Sequence, residues 1–474
     1  MNYIFFDLET SGSSTSHDSI LEAFFMLTNE SFQELDRLGP LRCRLKEGVV
    51  PNLNAVLINR STVNLLKNSN MSWYQLVNAI EAKLRQWSPA YIWGYGSVNF
   101  DFEFLRKTWW KSLKEPYLTN TGGNKQGDIL HVIRAAKLVK DDIIKTTISP
   151  KGNPVFKLAQ LMKHSDAHGA EADTIQCKKL AELIAKKANS IWRSSLMTAS
   201  RADTDALIKN EKMFCNLEYF YGKLRIFLCH FLMLHPVYKW GIAWDMQWAP
   251  EDFIKMDKKT LKEAMSKSPK IYRLIRSNKA PVILNANYGL EKEPYSKISP
   301  EILNKRILLL DKSTEFKNRI SDILKEIAEE KTKKKADPLT LHPEDRLHNL
   351  YNFEFTPPVE KQKMQQFHSV DWKEKINLMD KFKEDHNNIF ARRLVYEEAG
   401  HLLPKSIFNE VKRTIAEKIL NPKNDKVNWT TVADFYQQID LERSKSENDP
   451  KKMKLLDEYN NFVMDIEKKY QNAS

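Results

Sequence analysis

Over its first 190 residues the chain alternates short strand-like runs with helix-like ones, the pattern of an α/β domain whose helices pack on a sheet. Tyr3-Ile4-Phe5-Phe6 is an aromatic and β-branched run, and Ile20 to Leu27 is a second apolar run able to lie beside it. Leu76, Ile80, Leu84 and Trp87 recur at helical spacing, which predicts a helix from Trp73 to Trp87, and Ala90 to Trp93 then reads as another buried strand. Further on, Gly241 to Trp244 and Pro281 to Leu284 are strand-like around a helix-like Lys258 to Met265, so a second, mixed domain is expected. The charged run Glu329 to Lys335, followed by Asp337-Pro338, reads as a linker. Beyond Leu347 the segments are long, charged and helix-periodic. A chain of 474 residues exceeds one ordinary core, since domains usually hold about 100–200 residues. The expected division is 1–190, 191–338 and 339–474.

The formal net charge of +13 suits a polyanionic partner, either nucleic acid or an acidic membrane surface. Ile226 to Leu234, the longest apolar stretch, is broken by His230 and falls far short of the roughly 20 residues that span a bilayer. Cys43, Cys177, Cys215 and Cys229 form no CxxC pair, so neither a disulfide framework nor a cysteine zinc site is indicated. With no basic and apolar leader ahead of Asp7, a cytoplasmic protein without a membrane anchor is the expectation.

Three short segments carry chemistry. In Phe5-Phe6-Asp7-Leu8-Glu9-Thr10 the two acids project from one face of a strand while Phe6 and Leu8 point the other way into a core. Acids at the end of an apolar strand are costly to desolvate unless a positive charge neutralises them, and a divalent cation does so. In Asn99-Phe100-Asp101-Phe102-Glu103, Asp101 stands near the start of a helix, where a carboxylate also serves as an ordinary cap. In His168-Gly169-Ala170-Glu171-Ala172-Asp173, a five-residue helical step would leave the first and last side chains roughly 140° apart. His168 is therefore expected on the entering loop and Asp173 on the first turns of the helix. Each segment alone has a bland reading as a strand end, a helix cap or a surface histidine; the set and its order are specific.

That set resembles the DEDDh 3′→5′ exonuclease family, whose Asp-x-Glu-Thr falls on Asp7, Glu9 and Thr10, middle aspartate on Asp101, and His-x4-Asp on His168 and Asp173. Within it the chain is similar to the exodeoxyribonuclease I family over nearly its whole length, through Ala55-Val56-Leu57-Ile58, Pro154-Val155-Phe156-Lys157-Leu158, Asn278-Lys279-Ala280-Pro281-Val282 and Leu350-Tyr351-Asn352. The resemblance implies an RNase H-like exonuclease domain, an SH3-like α+β domain and a C-terminal helical domain that close a C-shaped channel over single-stranded DNA. It implies a monomeric 3′→5′ exodeoxyribonuclease of DNA repair and recombination that releases 5′-mononucleotides. Asp7, Glu9 and Asp173 would hold the Mg²⁺ that carries the attacking water, and Asp7 and Asp101 a second Mg²⁺ at the leaving group. Oxygen-only ligands suit Mg²⁺ or Mn²⁺ better than zinc. His168 would be the general base, a role that imidazole fills near neutral pH.

Thr10, Ser11 and Gly12 are the candidates for the terminal nucleotide, because the family uses that turn. Arg106, Lys107 and Trp109 combine charge and aromatic faces as single-strand grooves do, and read equally well as an amphipathic helix with core tryptophans. The resemblance also implies a partner, the acidic C-terminal tail of single-strand DNA-binding protein, on Arg134 and Lys140, although an aromatic residue expected nearby is replaced around Ser194. Departures from the family pattern fall at Gly96, usually Asn, and Gly169, usually Asp. An exoribonuclease or proofreading nuclease, and a non-catalytic adaptor for single-strand DNA-binding protein, are the competing readings.

Overall fold

Tyr3, Phe5 and Ile4, Phe6, Leu8 alternate across β1 (Tyr3–Thr10) and enter two different hydrophobic clusters, so this strand is buried on both faces. In the computed structural model, which describes residues 1–161, 169–334, 341–420, 422 and 427–472, β1 is the centre of a five-stranded sheet. Its order is β3-β2-β1-β4-β5. β2 (Ile20–Thr28), buried along its length, runs antiparallel to β1, and β3 (Glu34–Arg42) antiparallel to β2. On the other side β4 (Tyr91–Gly94) and β5 (Lys125–Asp128) are parallel to β1. This is an RNase H-like sheet.

Helices α1 (Leu53–Ile58), α2 (Val63–Asn68), α3 (Trp73–Trp87) and α4 (Asp101–Lys111) belong to this domain, with α3 started by a Ser72–Gln75 capping box. The Ile4/Phe6/Leu8 face packs under α3. The Tyr3/Phe5 face packs under α5 (Ile129–Val139) and, beyond the short α6 (Leu158–Leu161), α7 (Ala170–Lys187). Because the strand period is two, Asp7 and Glu9 continue the face that α7 covers. A small hairpin, β6 (Thr147–Ile148) and β7 (Pro154–Val155), precedes α6.

After α8 (Asn189–Met197) and α9 (Arg201–Asn210) the chain forms a second sheet, antiparallel throughout, the SH3-like part of the molecule. Its strands are β8 (Phe214–Phe220), β9 (Lys223–Leu234), β10 (Gly241–Asp245), β11 (Tyr272–Ile275) and β12 (Ile283–Asn285), in the order β11-β10-β9-β8-β12. The segment from Met213 to Leu234, whose pattern departs from the family's, is the β8–β9 hairpin, turned by Tyr221 and Gly222 at positive φ. The expected linker at Glu329 is corrected by the structure. Up to Lys334 that run is the end of a helix, Thr314–Lys334, held by a buried stripe of Phe316, Ile320, Ile323, Leu324 and Ala328. Its charges are the solvent face of an amphipathic helix, which composition alone does not distinguish from a linker.

The C-terminal part is helical, as expected, including Asp385–Ala399, Lys405–Ile419, Val432–Lys445 and Pro450–Gln471. It does not stand apart. Phe390, Leu394, Ile415 and Tyr459 join the same hydrophobic cluster as Phe6 and Leu84. Tyr459 donates to the Ser61 carbonyl at 2.7 Å, and Lys46 pairs with Glu397 at 2.7 Å. Among the described residues no helix is long and apolar enough to cross a membrane.

Candidate active site

Asp7 and Glu9 from β1 and Asp173 from the first turn of α7 each bring a carboxylate oxygen into a group whose atoms lie within 4.8 Å of one another. Those three are half-buried; Asp101, the first residue of α4, is buried, and its charge acts on Asp7 more strongly than that of any other side chain. The turn that delivers Asp101 is tied to the end of β5. Gly96 N–H and Val98 N–H donate to the two oxygens of Asp128 at 2.8 and 3.2 Å, and Leu130 N–H donates to it as the cap of α5. Gly96 has φ +71°, a left-handed conformation that glycine adopts freely and asparagine tolerates, so the glycine preserves the turn. A Cβ there would meet only Leu130, at an ordinary 3.6 Å.

The site is electrostatically incomplete. Burial, then Asp101, Glu9, Asp173 and Glu22, hold the Asp7 carboxyl well above its usual range. Burial and then Asp173 push Glu9 up to about 8. Asp101 is raised to about 7, chiefly by burial, with Asp128 adding to the rise. Among the described residues no lysine or arginine forms an ion pair with Asp7, Glu9 or Asp101. Converging carboxylates, three half-buried and Asp101 buried, without a counter-charge suit a hard cation, and an oxygen-only donor set fits Mg²⁺ or Mn²⁺. His168 lies outside the described residues.

Glu22 belongs to this cluster and escaped the sequence reading. It faces Glu9 directly across the β1–β2 ladder, accepts from Arg42 Nε at 2.6 Å and from Ala170 N–H at 3.2 Å. The available signal was a lone acid inside an otherwise apolar strand, Ile20–Thr28. Gly169, with φ +138°, places no side chain here, and a Cβ on it would stand 3.5 Å from Glu22 Oε1. An aspartate at that position would add another carboxylate beside Glu22.

The candidate substrate residues divide. Thr10 Oγ1 donates to the Gly12 carbonyl at 2.7 Å, Ser11 Oγ donates to Asp18 at 3.0 Å, and Asn59 donates to the Thr10 carbonyl, so the turn after β1 is pinned beside the acids. At Gly12 a Cβ would fall 2.4 Å from the Asp18 carboxylate, which requires glycine. Lys107 Nζ braces the same turn, donating to Thr15 and Ser16 hydroxyls at 2.8 and 3.0 Å. Arg106 donates to Glu103 at 2.7 Å and to the Tyr351 hydroxyl at 2.9 Å. Trp109 is a correction: it is 1% exposed in the core under the sheet and offers no face to a base.

A groove that sequence reasoning missed runs between α5 and the second sheet, lined by His131, Arg134, Tyr219, Arg276 and Lys279 among others, with one acid, Glu218, which faces Arg273 at 3.6 Å. Arg134 lies over the Tyr219 ring at 3.9 Å. Lys279 stands 3.6 Å from Glu103 and donates to the Val98 carbonyl at 3.3 Å, which brings the groove to the N-terminal end of α4 and hence to Asp101. Lys140 is exposed at the C-terminal end of α5, and Ser194 is half-buried on α8.

The sheet order and the delivery of four acids by the central strand and two helix starts belong to an RNase H-like fold. No family model matches the chain. It is 26% identical to exodeoxyribonuclease I of Buchnera aphidicola over 218 residues, 45% of this chain and 45% of that protein. The match thus spans about half the length of the first curated relatives of this name. In three dimensions the likeness runs end to end. Escherichia coli exonuclease I in complex with a dA16 oligonucleotide matches with a TM-score of 0.80 at 18% identity, covering 98% of this chain and 99% of that one. The zinc-ion-bound form of the E. coli exonuclease I–single-stranded DNA complex matches with a TM-score of 0.78 at 18% identity over the same shares. The chain resembles exodeoxyribonuclease I in sequence, and its fold is that of exonuclease I.

Proposed function

We propose that the chain is a 3′→5′ exodeoxyribonuclease that degrades single-stranded DNA to 5′-mononucleotides. The observation that carries this reading is the convergence of Asp7, Glu9, Asp101 and Asp173 at one largely desolvated site near a groove lined by basic and aromatic side chains. Asp7, Glu9, Asp101 and Asp173 would hold two Mg²⁺ ions, or Mn²⁺ in their place, which when bound neutralise charge at the scissile phosphate and acidify water. The protein's own part is positional. Asp128 fixes the turn before Asp101, Glu22 fixes the start of α7, and Asp18 and Asn59 fix the Thr10–Gly12 turn where the terminal nucleotide would sit. His168, which lies outside the described residues, is assigned the proton-accepting role by family resemblance alone. Arg134, Arg276 and Lys279 supply cations for the DNA backbone, and Tyr219 a ring on which a base can stack, worth about 1–3 kcal/mol.

The acidic tail of single-strand DNA-binding protein is the proposed partner for Arg134 and Lys140. Since Arg134 also lines the groove, tail and DNA would compete for it. A monomeric cytoplasmic enzyme of DNA repair and recombination is the context this activity suits.

The test is release of mononucleotides from end-labelled single-stranded DNA in Mg²⁺ and in EDTA, with duplex DNA and RNA alongside. Metal-dependent shortening from the 3′ end of single-stranded DNA is expected. Internal cuts, equal rates on RNA, or no turnover in either Mg²⁺ or Mn²⁺ would overturn the reading.

A further inference from the structure

Where the turn after β1 meets the C-terminal helices, a narrow cavity is lined by His17, Lys46, Lys111, Arg393, Glu397 and Lys418, among others. Four basic side chains converge there. Two are paired: Lys46 with Glu397 at 2.7 Å, and Arg393 with Glu344, to which both guanidinium N–H groups donate. The other two are not. Lys111, on α4, is 6% exposed and donates to the Ser16 carbonyl at 3.0 Å; Lys418, on the helix Lys405–Ile419, is 7% exposed and donates to the Gly48 carbonyl at 3.1 Å. Among the described residues neither ammonium has a carboxylate within ion-pairing distance. Asp18, whose charge acts on both, is instead bonded to Ser11 and Ser14.

An ammonium group has three N–H donors, so each lysine keeps capacity that a carbonyl alone does not use. His17 is 3% exposed; its Nε2 bonds Asp345 at 2.8 Å, and its Nδ1, elsewhere on the ring, is buried without a partner. Desolvating cations without compensation is costly, and a fold keeps such an arrangement where something negative offsets it. The other carboxylates nearby are engaged: Glu47 by Lys469 and Tyr470, and Asp345 by His17 and Asn428. The water-accessible space is about 40 Å³. At roughly 10–15 Å³ per water that is room for about three waters or one tetrahedral anion, and too little for a nucleotide.

We propose that this cavity binds one small inorganic oxyanion of phosphate size, held by Lys111, Lys418 and the protonated Nδ1 of His17. The anion fastens α4 and the turn after β1 to the C-terminal helices. Burial first, and then repulsion from Lys418 and Lys111, holds His17 neutral; an anion between the two lysines replaces that repulsion with attraction and gives Nδ1 an acceptor while Nε2 stays on Asp345. None of Asp7, Glu9, Asp101 and Asp173 lines the cavity, and the proposal does not depend on the nuclease reading.

The experiment uses the full chain in EDTA, with inorganic phosphate as probe and sodium chloride at matched ionic strength as reference. Phosphate is expected to raise Tm by about 3 °C beyond chloride. Equilibrium dialysis against labelled phosphate is expected to show one site per chain. Lys418→Gln and His17→Gln are expected to lose the phosphate increment, whereas Arg134→Ala/Lys279→Ala in the groove keeps it. Equal Tm in phosphate and chloride without dialysis binding would mean that water alone fills the cavity. Loss of the increment in the groove variant, or its retention in both cavity variants, would place the anion elsewhere. Should the cavity variants fail to fold, wild-type dialysis in the presence of saturating single-stranded DNA decides. Displacement of phosphate by DNA overturns the proposal, and undiminished binding supports it.

Discussion

Glu22 faces Glu9 across the β1–β2 ladder and at the same time accepts the Ala170 N–H that opens α7. One carboxylate therefore caps the helix that carries Asp173 and adds to the negative charge on Glu9. The helix has no side-chain cap of its own, because its N-cap is Gly169. Glu22→Ala is expected to weaken Mg²⁺ binding and turnover together by about tenfold, as loss of residues that orient metal ligands commonly does. Glu22→Gln retains an acceptor for Ala170 and is expected to stay within a few-fold of the parent, with a lower pH for half-maximal metal binding. Turnover against Mg²⁺ concentration for the three proteins checks this. Equal losses in both variants would mean that charge rather than the cap matters.

The raised carboxyls make metal-free stability depend on pH with a definite sign. Glu9 ordinarily titrates near 4.5 and is pushed to about 8, and Asp101 from 3.8 to about 7. Between those limits the folded chain holds protons that the unfolded chain has released. This contribution is full below the ordinary values and is lost as pH rises through the folded ones. In EDTA, Tm is therefore expected to fall between about pH 5 and pH 8. Mg²⁺, held by these acids as proposed, would take the deprotonated form, so its stabilisation should grow over the same window, reaching about 5 °C at the upper end. Thermal melts across that range, with and without Mg²⁺, are the measurement.

Removing one of the crowded charges gives the complementary result. Asp7→Asn keeps the shape of the side chain and relieves repulsion with Asp101, Glu9 and Asp173. The metal-free variant is expected to melt higher than the parent in EDTA near pH 8, to lose its response to Mg²⁺, and to fall at least about 10³-fold in nuclease rate. A variant that is both less stable and inactive would instead assign Asp7 a structural part.

How much of this was legible depended on whether the pattern was local. The helix Trp73–Trp87 and the strand face shared by Asp7 and Glu9 follow from periods of 3.6 and 2, and both stand in the structure. Strand β3 does not: Glu34–Arg42 is a charged, largely exposed edge strand held by its pairing with β2, a long-range property that composition conceals. Trp109 was ambiguous for a similar reason. A helix with tryptophans on one side and lysines on the other suits a DNA groove or a core, and only the sheet above it decides for the core. Glu22 and the Arg134–Tyr219 groove depend on contacts between segments far apart in sequence, which one sequence does not pair.

The groove has its own test, through salt. Arg134 and Lys279 both line it, one stacked on Tyr219 and the other beside Glu103 and the turn leading to Asp101. If both neutralise phosphates, each should contribute about 0.7 to the slope of log affinity against log salt for a single strand. Arg134→Ala/Lys279→Ala is then expected to bind single-stranded DNA more weakly and to lower that slope by about 1.4, across sequences alike. Mg²⁺ affinity, set by the acids, should stay within a few-fold. Fluorescence anisotropy of labelled oligonucleotides in Ca²⁺ or EDTA, over a series of salt concentrations, separates binding from cleavage. An unchanged slope with weaker affinity would assign the loss to the Tyr219 stacking surface, which Arg134 supports, and remove both cations from the proposed DNA path.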